Sequence, residues 1–162
     1  MAKIIIEGVE REYPEGISYE AIANEYQAQY GNMIALVLEN YKIRELIKTV
    51  NKDCRLSFLT LKDNIGHKAY VRTATMMLIK AVYDVLGSEN VEKAKVEFAI
   101  GQGYYCEVKM QQKLTGDMVG RIGERMRTLA QMNLPITKKS YSLDDARAIF
   151  KKYKMLDKEK LF

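Results

Sequence analysis

Three side chains spaced four residues apart, Arg72, Met76 and Lys80, are the first candidates for chemistry in this 162-residue chain. Residues at this spacing share one face of an α-helix, so a helix here presents two cations with a thioether between them. A guanidinium does not act as a base at neutral pH, and a thioether does not transfer protons. The two cations can instead bind an anion such as phosphate. The alternative is an ordinary solvated helix face that carries charges at its edge.

Two further side chains extend this candidate site. The hydroxyl of Thr73 can donate a hydrogen bond to the same anion, although threonines also simply fill helix faces. Tyr104 comes from a later predicted strand and can stack on a nucleobase. Tyrosines in a strand are, however, more often divided between core and surface. The candidate ligand-binding residues are Arg72, Thr73, Met76, Lys80 and Tyr104.

Other residue types that often carry chemistry are isolated in this sequence. His67 is the single histidine, so we expect a surface or junction residue rather than a ligand. Cys54 and Cys106 lack the C-x-x-C spacing of a zinc or redox site, and we expect two buried thiols. The glycines at 116–123 lack the Lys-Ser/Thr ending of a phosphate-binding loop. We therefore predict no catalytic residue and no metal site.

The helix that carries the candidate cations is predicted from Gly66 to Leu86, because apolar residues cover most of its circumference. Gly87 follows as a typical C′ residue. Strands are predicted at 96–100 and 104–108, joined by a turn at 101–103. These elements would place Tyr104 in a hairpin that follows the helix.

Two more helices are predicted before the chain becomes basic. The first begins after an N-cap at Thr115 and runs to about Met132. Its predicted apolar stripe consists of Met118, Ile122, Met126 and Leu129. Ser142, with an acidic residue three positions later, caps a helix through Lys152. We expect a basic end that is either solvated surface or a weak contact for nucleic acid. It consists of the lysines at 138, 139, 151, 152, 154, 158 and 160.

The first 63 residues predict a ubiquitin-like roll. Ser18 is the predicted N-cap of a helix with Ala21, Ile22 and Tyr26 on its inner face. Leu56 and Phe58 alternate with polar neighbours, which is typical of a half-buried strand. The predicted strands cover 3–7, 11–13, 33–38, 43–46 and 55–59. The fold class is therefore α+β, with a β-grasp module followed by a second α+β module with a long first helix.

The distribution of charge supports two domains. Residues 1–63 hold eight Lys/Arg against ten Asp/Glu, and residues 64–162 hold eighteen against eleven. We therefore predict domains at 1–63 and 64–162, of which the second, basic one suits phosphate-bearing ligands. No apolar run is long enough to cross a bilayer, and nothing at the start is typical of a signal peptide. We expect a cytoplasmic protein with no membrane partner.

Residues 66–86, G-H-K-A-Y-V-R-T-A-T-M-M-L-I-K-A-V-Y-D-V-L, resemble a known helix without a gap. It opens the editing domain of threonyl-tRNA synthetases and runs G-x-x-x-x-R-H-S-C-A-H-L-L-x-H-A. Later matches to the same domain are Phe98–Gly101, Gly103–Tyr105, Arg121–Asn133 and Asp145–Phe150. The first module resembles the TGS domain of these synthetases, of certain GTPases and of stringent-response enzymes. Its matching segments are Tyr13–Gly16, Val37–Asn40 and Asp53–Thr60.

This resemblance implies that the chain has the fold of the editing domain but lacks its catalytic residues. The family's editing site hydrolyses serine from mischarged tRNA with two histidines on this helix, and a cysteine and a histidine on a later segment. Arg72 and Met76 occupy the positions of the two helix histidines, and the later segment would follow Phe162. The resemblance therefore predicts binding or regulation rather than deacylation.

The two modules without the histidines, followed by K-K-Y-K-M-L-D-K-E-K-L-F, also resemble the N-terminal region of bacterial uridine kinase-type nucleoside kinases. That resemblance implies a P-loop kinase domain after residue 162, which would bind ATP and Mg, and no cofactor within residues 1–162. The main expectation is a non-catalytic nucleotide- or RNA-binding regulatory region of such a kinase. The alternative is the N-terminal editing region of a threonyl-tRNA synthetase, or a trans-editing aminoacyl-tRNA deacylase. The expected partners are a nucleotide or RNA and the kinase domain of the same chain.

Overall fold

The computed structural model describes residues 1–101 and 103–161. It divides the chain into two compact units, Met1–Thr73 and Ala74–Phe162. Each unit combines helices with strands, so the predicted α+β class is confirmed. The predicted domain boundary near position 64 stays a prediction, because the long helix contributes residues to both units.

The first unit is a five-stranded mixed sheet with one α-helix. Its strands are β1 (Ala2–Ile6), β2 (Val9–Tyr13), β3 (Ile34–Glu39), β4 (Lys42–Glu45) and β5 (Cys54–Thr60), and its helix is α1 (Tyr19–Tyr26). The strand order is β2-β1-β5-β3-β4. Strands β1 and β5 are parallel, whereas the other neighbours are antiparallel. This is the predicted β-grasp arrangement.

The inner face of α1 follows from where the helix begins. The Ser18 hydroxyl accepts a hydrogen bond from the Ala21 amide at 3.1 Å, which confirms the predicted N-cap. Because the helix starts at Tyr19, the spacing i, i+3, i+4, i+7 buries Tyr19, Ile22, Ala23 and Tyr26. The prediction that Ala21 faces the core is wrong, since Ala21 is exposed and Ala23 takes its place.

The second unit packs helices around a two-stranded antiparallel hairpin. Its elements are the C-terminal part of α2 (Asn64–Leu86), β6 (Val91–Ile100), β7 (Gly103–Met110), α3 (Gly116–Gln131), α4 (Leu143–Lys152) and α5 (Leu156–Glu159). Its core buries Ala81, Val82, Tyr83, Leu86, Val91, Ala94, Ile122 and Leu129. Met118 and Met126 pack against this core, so the predicted stripe of α3 is confirmed. Thr115 and Ser142 cap α3 and α4 as predicted.

One prediction for the second unit is wrong, and another holds only in part. Strand β6 begins at Val91, five residues earlier than predicted. The charged residues of this half do not give the apolar pattern from which strands are predicted. In the structure, Lys93 pairs across the hairpin with Glu107 at 2.6 Å. At the basic end, the lysines are exposed as expected except for Lys158, which lies in α5 and is mostly buried. Of the turn predicted at 101–103, Gln102 lies outside the described residues.

Helix α2 begins earlier than its apolar pattern indicates. The Asp63 carboxylate accepts hydrogen bonds from the Thr60 amide at 2.7 Å and the Thr60 hydroxyl at 2.8 Å. These bonds fix the turn that leads into the helix at Asn64. The first turn then passes close to the end of β5, and a Cβ atom on Gly66 would lie 2.0 Å from the Thr60 carbonyl oxygen. Gly66 is thus required where helix and strand meet.

This close approach predicts opposite effects for two Gly→Ala substitutions. Gly66→Ala should lower the free energy of unfolding of the first unit by about 1–3 kcal/mol, because a backbone atom must move to admit the methyl group. Gly120→Ala in α3 is the matched control, since apart from the neighbouring backbone of α3 itself no described atom lies within 4 Å of its added Cβ. It should raise the stability of the second unit by up to about 1 kcal/mol. Urea unfolding of both variants measures this, and a Gly66→Ala protein as stable as wild type contradicts it.

Candidate functional site

A cavity of about 750 Å³ lies in the second unit, against the C-terminal half of α2. Its helix wall consists of Thr75, Met76, Ile79, Lys80, Tyr83 and Asp84. Ser88, which follows the helix, adds one hydroxyl. Tyr153 and Met155, which follow α4, form the outer wall. We call this cavity the α2 pocket.

Helical spacing explains why these residues of α2 form one wall. Met76, Lys80 and Asp84 lie four residues apart in one row, and Ile79 and Tyr83 lie in the adjacent row. The same helix also buries Ala81, Val82 and Leu86 in the core of the second unit. Apolar residues are therefore needed on most of the helix circumference, as the sequence indicates.

Most of the pocket surface is apolar, with a few polar groups that are open to a ligand. The Met76 side chain is 59% exposed and the Tyr153 ring is also 59% exposed. Within residues 1–101 and 103–161, the hydroxyls of Thr75 and Ser88 form no hydrogen bond with other protein groups. An apolar cavity with a few convergent polar groups is the usual form of a small-molecule site.

The polar side of the pocket is organised by Asp84. One carboxylate oxygen accepts from the Lys80 ammonium group, and the other accepts from the Arg125 guanidinium, with Nε at 2.9 Å and a terminal nitrogen at 2.8 Å. Burial alone would raise the pKa of Asp84, but the hydrogen bonds from Lys80 and Arg125 outweigh it and lower the pKa below its usual value. Two cations around one carboxylate leave a net charge of one positive unit.

The structure places the five predicted ligand-binding residues in different surroundings. Met76 and Lys80 both line the α2 pocket, and Lys80 is paired rather than free. Arg72 and Thr73 are exposed on α2, and the Thr73 hydroxyl donates to the Ala69 carbonyl at 3.3 Å. Tyr104 is exposed on β7, opposite Ala99. Arg72, Thr73 and Tyr104 are not among the described residues that line the pocket, and a ligand role for the five stays a prediction.

Sequence patterns identify only some of the residues that line the α2 pocket or contact its lining. The Lys80–Asp84 pair has the i, i+4 spacing of a helical ion pair, so this signal was present. No local pattern points to Arg125, Tyr153 or Met155, because they reach the site only through the tertiary fold.

Three further features of the chain concern metal ligands, thiols and membrane-spanning helices. In the described ranges, no group of three or more His, Cys, Asp or Glu side chains is arranged to hold a metal ion. Cys54 is buried as predicted, but Cys106 is exposed on β7, so the prediction of two buried thiols is wrong for Cys106. Among the helices of the described residues, none has the length and apolar character needed to span a bilayer.

Comparison with known proteins finds threonine–tRNA ligases among the relatives of this chain. No family model matches the chain. The chain is 32% identical over 149 residues to the threonine–tRNA ligase of Thermotoga neapolitana, covering 91% of this chain and 23% of that enzyme. It is 31% identical over 146 residues to that of Thermotoga maritima, covering 90% and 22%. It is 25% identical over 144 residues to threonine–tRNA ligase 2 of Bacillus subtilis, covering 89% and 22%.

The chain resembles threonine–tRNA ligases over nearly all of its own length. It spans less than a quarter of the length of these curated relatives. The predicted likeness to a region of threonyl-tRNA synthetases is thus confirmed. The predicted likeness to uridine kinase-type proteins is not tested by these comparisons and stays a prediction.

The ion pairs of Asp84 predict a measurable contribution to stability. Asp84→Asn should lower the free energy of unfolding of the second unit by about 0.5–1 kcal/mol at pH 7, because Lys80 and Arg125 lose their shared partner. The pKa of Asp84 is lowered in the folded state, so this contribution is present above the ordinary pKa of 3.8 and is lost as the pH falls through the folded value. The difference between variant and wild type should therefore shrink as the pH falls below 3.8 and through the lower pKa of the folded state.

Glu124→Gln is the matched control for this measurement. It breaks the exposed Glu124–Arg127 pair on α3 and should leave the stability unchanged. Chemical denaturation of the three proteins at pH 7 and in acid gives the comparison. A Glu124→Gln loss equal to that of Asp84→Asn, or an Asp84→Asn loss that persists in acid, contradicts the role of Asp84.

Proposed function

We propose that this chain is a non-catalytic nucleotide- or RNA-binding region, built on the scaffold of a threonyl-tRNA synthetase editing region, that acts within a longer protein. One observation carries the proposal. The helix face on which the resembled family carries its histidines holds Arg72, Met76 and Lys80, and the last two line the α2 pocket. The single histidine of the chain, His67, is not part of the pocket lining.

The chemistry of the α2 pocket suits a nucleotide. Met76, Ile79 and the Tyr153 ring provide apolar and aromatic surface for a nucleobase, which gains from stacking and from contacts with methionine sulfur. The net positive charge around Asp84 and the basic composition of residues 64–162 favour a phosphate group. A base and a phosphate are the two features that a free nucleotide shares with an RNA end.

The same groups are poorly suited to hydrolysis. Activating a water molecule near neutral pH needs a base whose pKa lies near 7. Asp84 is the carboxylate among the described lining residues, and its pKa is lowered by two cations that occupy its oxygens. None of the described lining residues is a histidine or a cysteine. The lining therefore favours binding over ester cleavage.

A second candidate function is favoured by the comparisons. The 32% identity to a threonine–tRNA ligase supports the N-terminal region of such a synthetase, or a trans-editing deacylase, as the setting of this chain. A uridine kinase-type parent rests on the replaced histidines and the basic ending at 151–162 alone. The sequence beyond residue 162 separates them. A G-x-x-x-x-G-K-[ST] loop for ATP and Mg supports the kinase, whereas a cysteine–histidine segment followed by a synthetase core supports the ligase.

The absence of editing chemistry is directly testable with mischarged tRNA. Wild-type protein incubated with Ser-tRNA(Thr) should release serine no faster than buffer does, because the pocket offers no base with a suitable pKa. Arg72→Ala and Met76→Ala should give the same background rate. Release that clearly exceeds the background and is abolished by either substitution contradicts the non-catalytic proposal and supports the deacylase.

Binding is tested by titrating the ¹⁵N-labelled chain with nucleoside 5′-monophosphates and with a short single-stranded RNA. Amide shifts should concentrate in residues 75–88 and 153–155, and added salt should weaken the binding because phosphate contacts are screened. Lys80→Ala should lower the affinity by about threefold to tenfold. Lys138→Ala, which removes an exposed lysine outside the pocket, is the matched control. Shifts confined to other segments, or an equal loss in the control, contradict the site.

A further inference from the structure

The Asp157 carboxylate of α5 connects three parts of the second unit. It accepts hydrogen bonds from the Tyr83 hydroxyl on α2 at 2.6 Å, from the Ala94 amide on β6 at 3.2 Å and from the Lys158 ammonium at 2.9 Å. Its side chain is only 9% exposed. Removing one member of such a buried set leaves the others without partners, which is costly.

Lys158 completes the attachment of α5 to β6. Its ammonium group also donates to the Ala94 carbonyl at 2.8 Å. Strand β6 pairs with β7 on its other side, in a two-stranded sheet. Both backbone polar groups of Ala94 therefore face away from β7 and are satisfied by side chains of α5. The short helix α5 thus covers the edge of β6 at this point.

The charge states of this cluster are favourable for a stable contact. Burial alone would raise the pKa of Asp157, but hydrogen bonds from Tyr83, Lys158 and the Ala94 amide outweigh it and lower the pKa. Burial, together with the bond to Asp157, raises the pKa of the Tyr83 phenol above its ordinary value. At neutral pH the carboxylate is therefore ionised and the phenol keeps the proton that it donates.

The segment around Asp157, residues 153–159, also forms the outer wall of the α2 pocket. Tyr153 and Met155 line the pocket just before α5, and Lys154 between them has a positive φ of 55°. The amides of Lys158 and Glu159 both donate to the Met155 carbonyl at 3.0 Å. These bonds join α5 directly to Met155, a residue of the wall. Tyr83, the partner of Asp157 on α2, lines the opposite wall.

We propose that Asp157 is a positioning residue for the α2 pocket, whose carboxylate clamps residues 153–159 onto α2 and β6. The pocket then has its binding form only while the clamp is closed. Because the same segment forms a wall of the pocket, ligand binding and docking of α5 stabilise one another to an equal extent. The nature of the ligand rests on the proposed function, whereas the clamp itself does not.

The first test needs no ligand. Asp157→Asn is compared with Asp144→Asn, a matched control that makes the same chemical change at an exposed position in the first turn of α4. In Asp157→Asn the Met155 methyl resonance should move toward its unfolded position. The amides of Lys158 and Glu159 should exchange with solvent about tenfold faster or more. The control should match wild type in both measurements.

Two further checks separate the clamp from general unfolding. The methyl resonances of Ile122 and Leu129 in the core should stay in place in Asp157→Asn. Tyr83→Phe removes one hydrogen bond and keeps the carboxylate, so it should move the Met155 methyl in the same direction by a smaller amount. Wild-type values for the Met155 methyl and for both amides in Asp157→Asn would overturn the clamp.

The second test measures binding with nucleoside 5′-monophosphates as the probe. Asp157→Asn should weaken their binding by about tenfold, and Asp144→Asn should leave it unchanged. An open segment in Asp157→Asn with wild-type affinity overturns the positioning role while the proposed function stands. If wild-type protein binds none of these nucleotides, the proposed ligand class fails, and the methyl and exchange measurements alone decide the clamp.

Discussion

The Asp84 carboxylate, held between Lys80 and Arg125, is the interaction on which the charge of the α2 pocket depends. It joins α2 to α3 and allows two cations to lie side by side at the edge of an apolar cavity. The same contacts lower the pKa of the carboxylate and occupy its oxygens. This ion-pair network gives the pocket its positive charge. It also makes Asp84 a poor base at neutral pH, so the same contacts favour anion binding and disfavour hydrolysis.

Local rules predicted much of the fold. The caps at Ser18, Thr115 and Ser142 and the stripe of α3 follow from hydrogen bonding and helical spacing within a few residues, and the structure confirms them. The errors arise where distant contacts override local preference. The first half of β6 carries charged residues, and its Lys93 finds its partner Glu107 only on the neighbouring strand β7. Helix α5 forms where its side chains meet Ala94.

The candidate site was predictable only in part, for the same reason. The spacing of Met76 and Lys80 identifies one helix face, and Asp84 lies on that face within the same local pattern. The outer wall and the Arg125 contact come from segments 40 residues or more away along the chain, and no periodicity encodes such a meeting. Asp157 lies among several lysines, a pattern that predicts solvent-exposed side chains. Its burial and its hydrogen bond from Tyr83 depend on the tertiary fold.

Intermolecular nuclear Overhauser effects between a bound nucleotide and the methyl groups of the chain test the central claim most directly. If the α2 pocket binds the nucleotide, the base protons should show effects to the methyl groups of Met76, Ile79 and Met155, which line it. Effects found only at other methyl groups, such as that of Ile100 on the exposed part of β6, would contradict the assignment of function to this pocket.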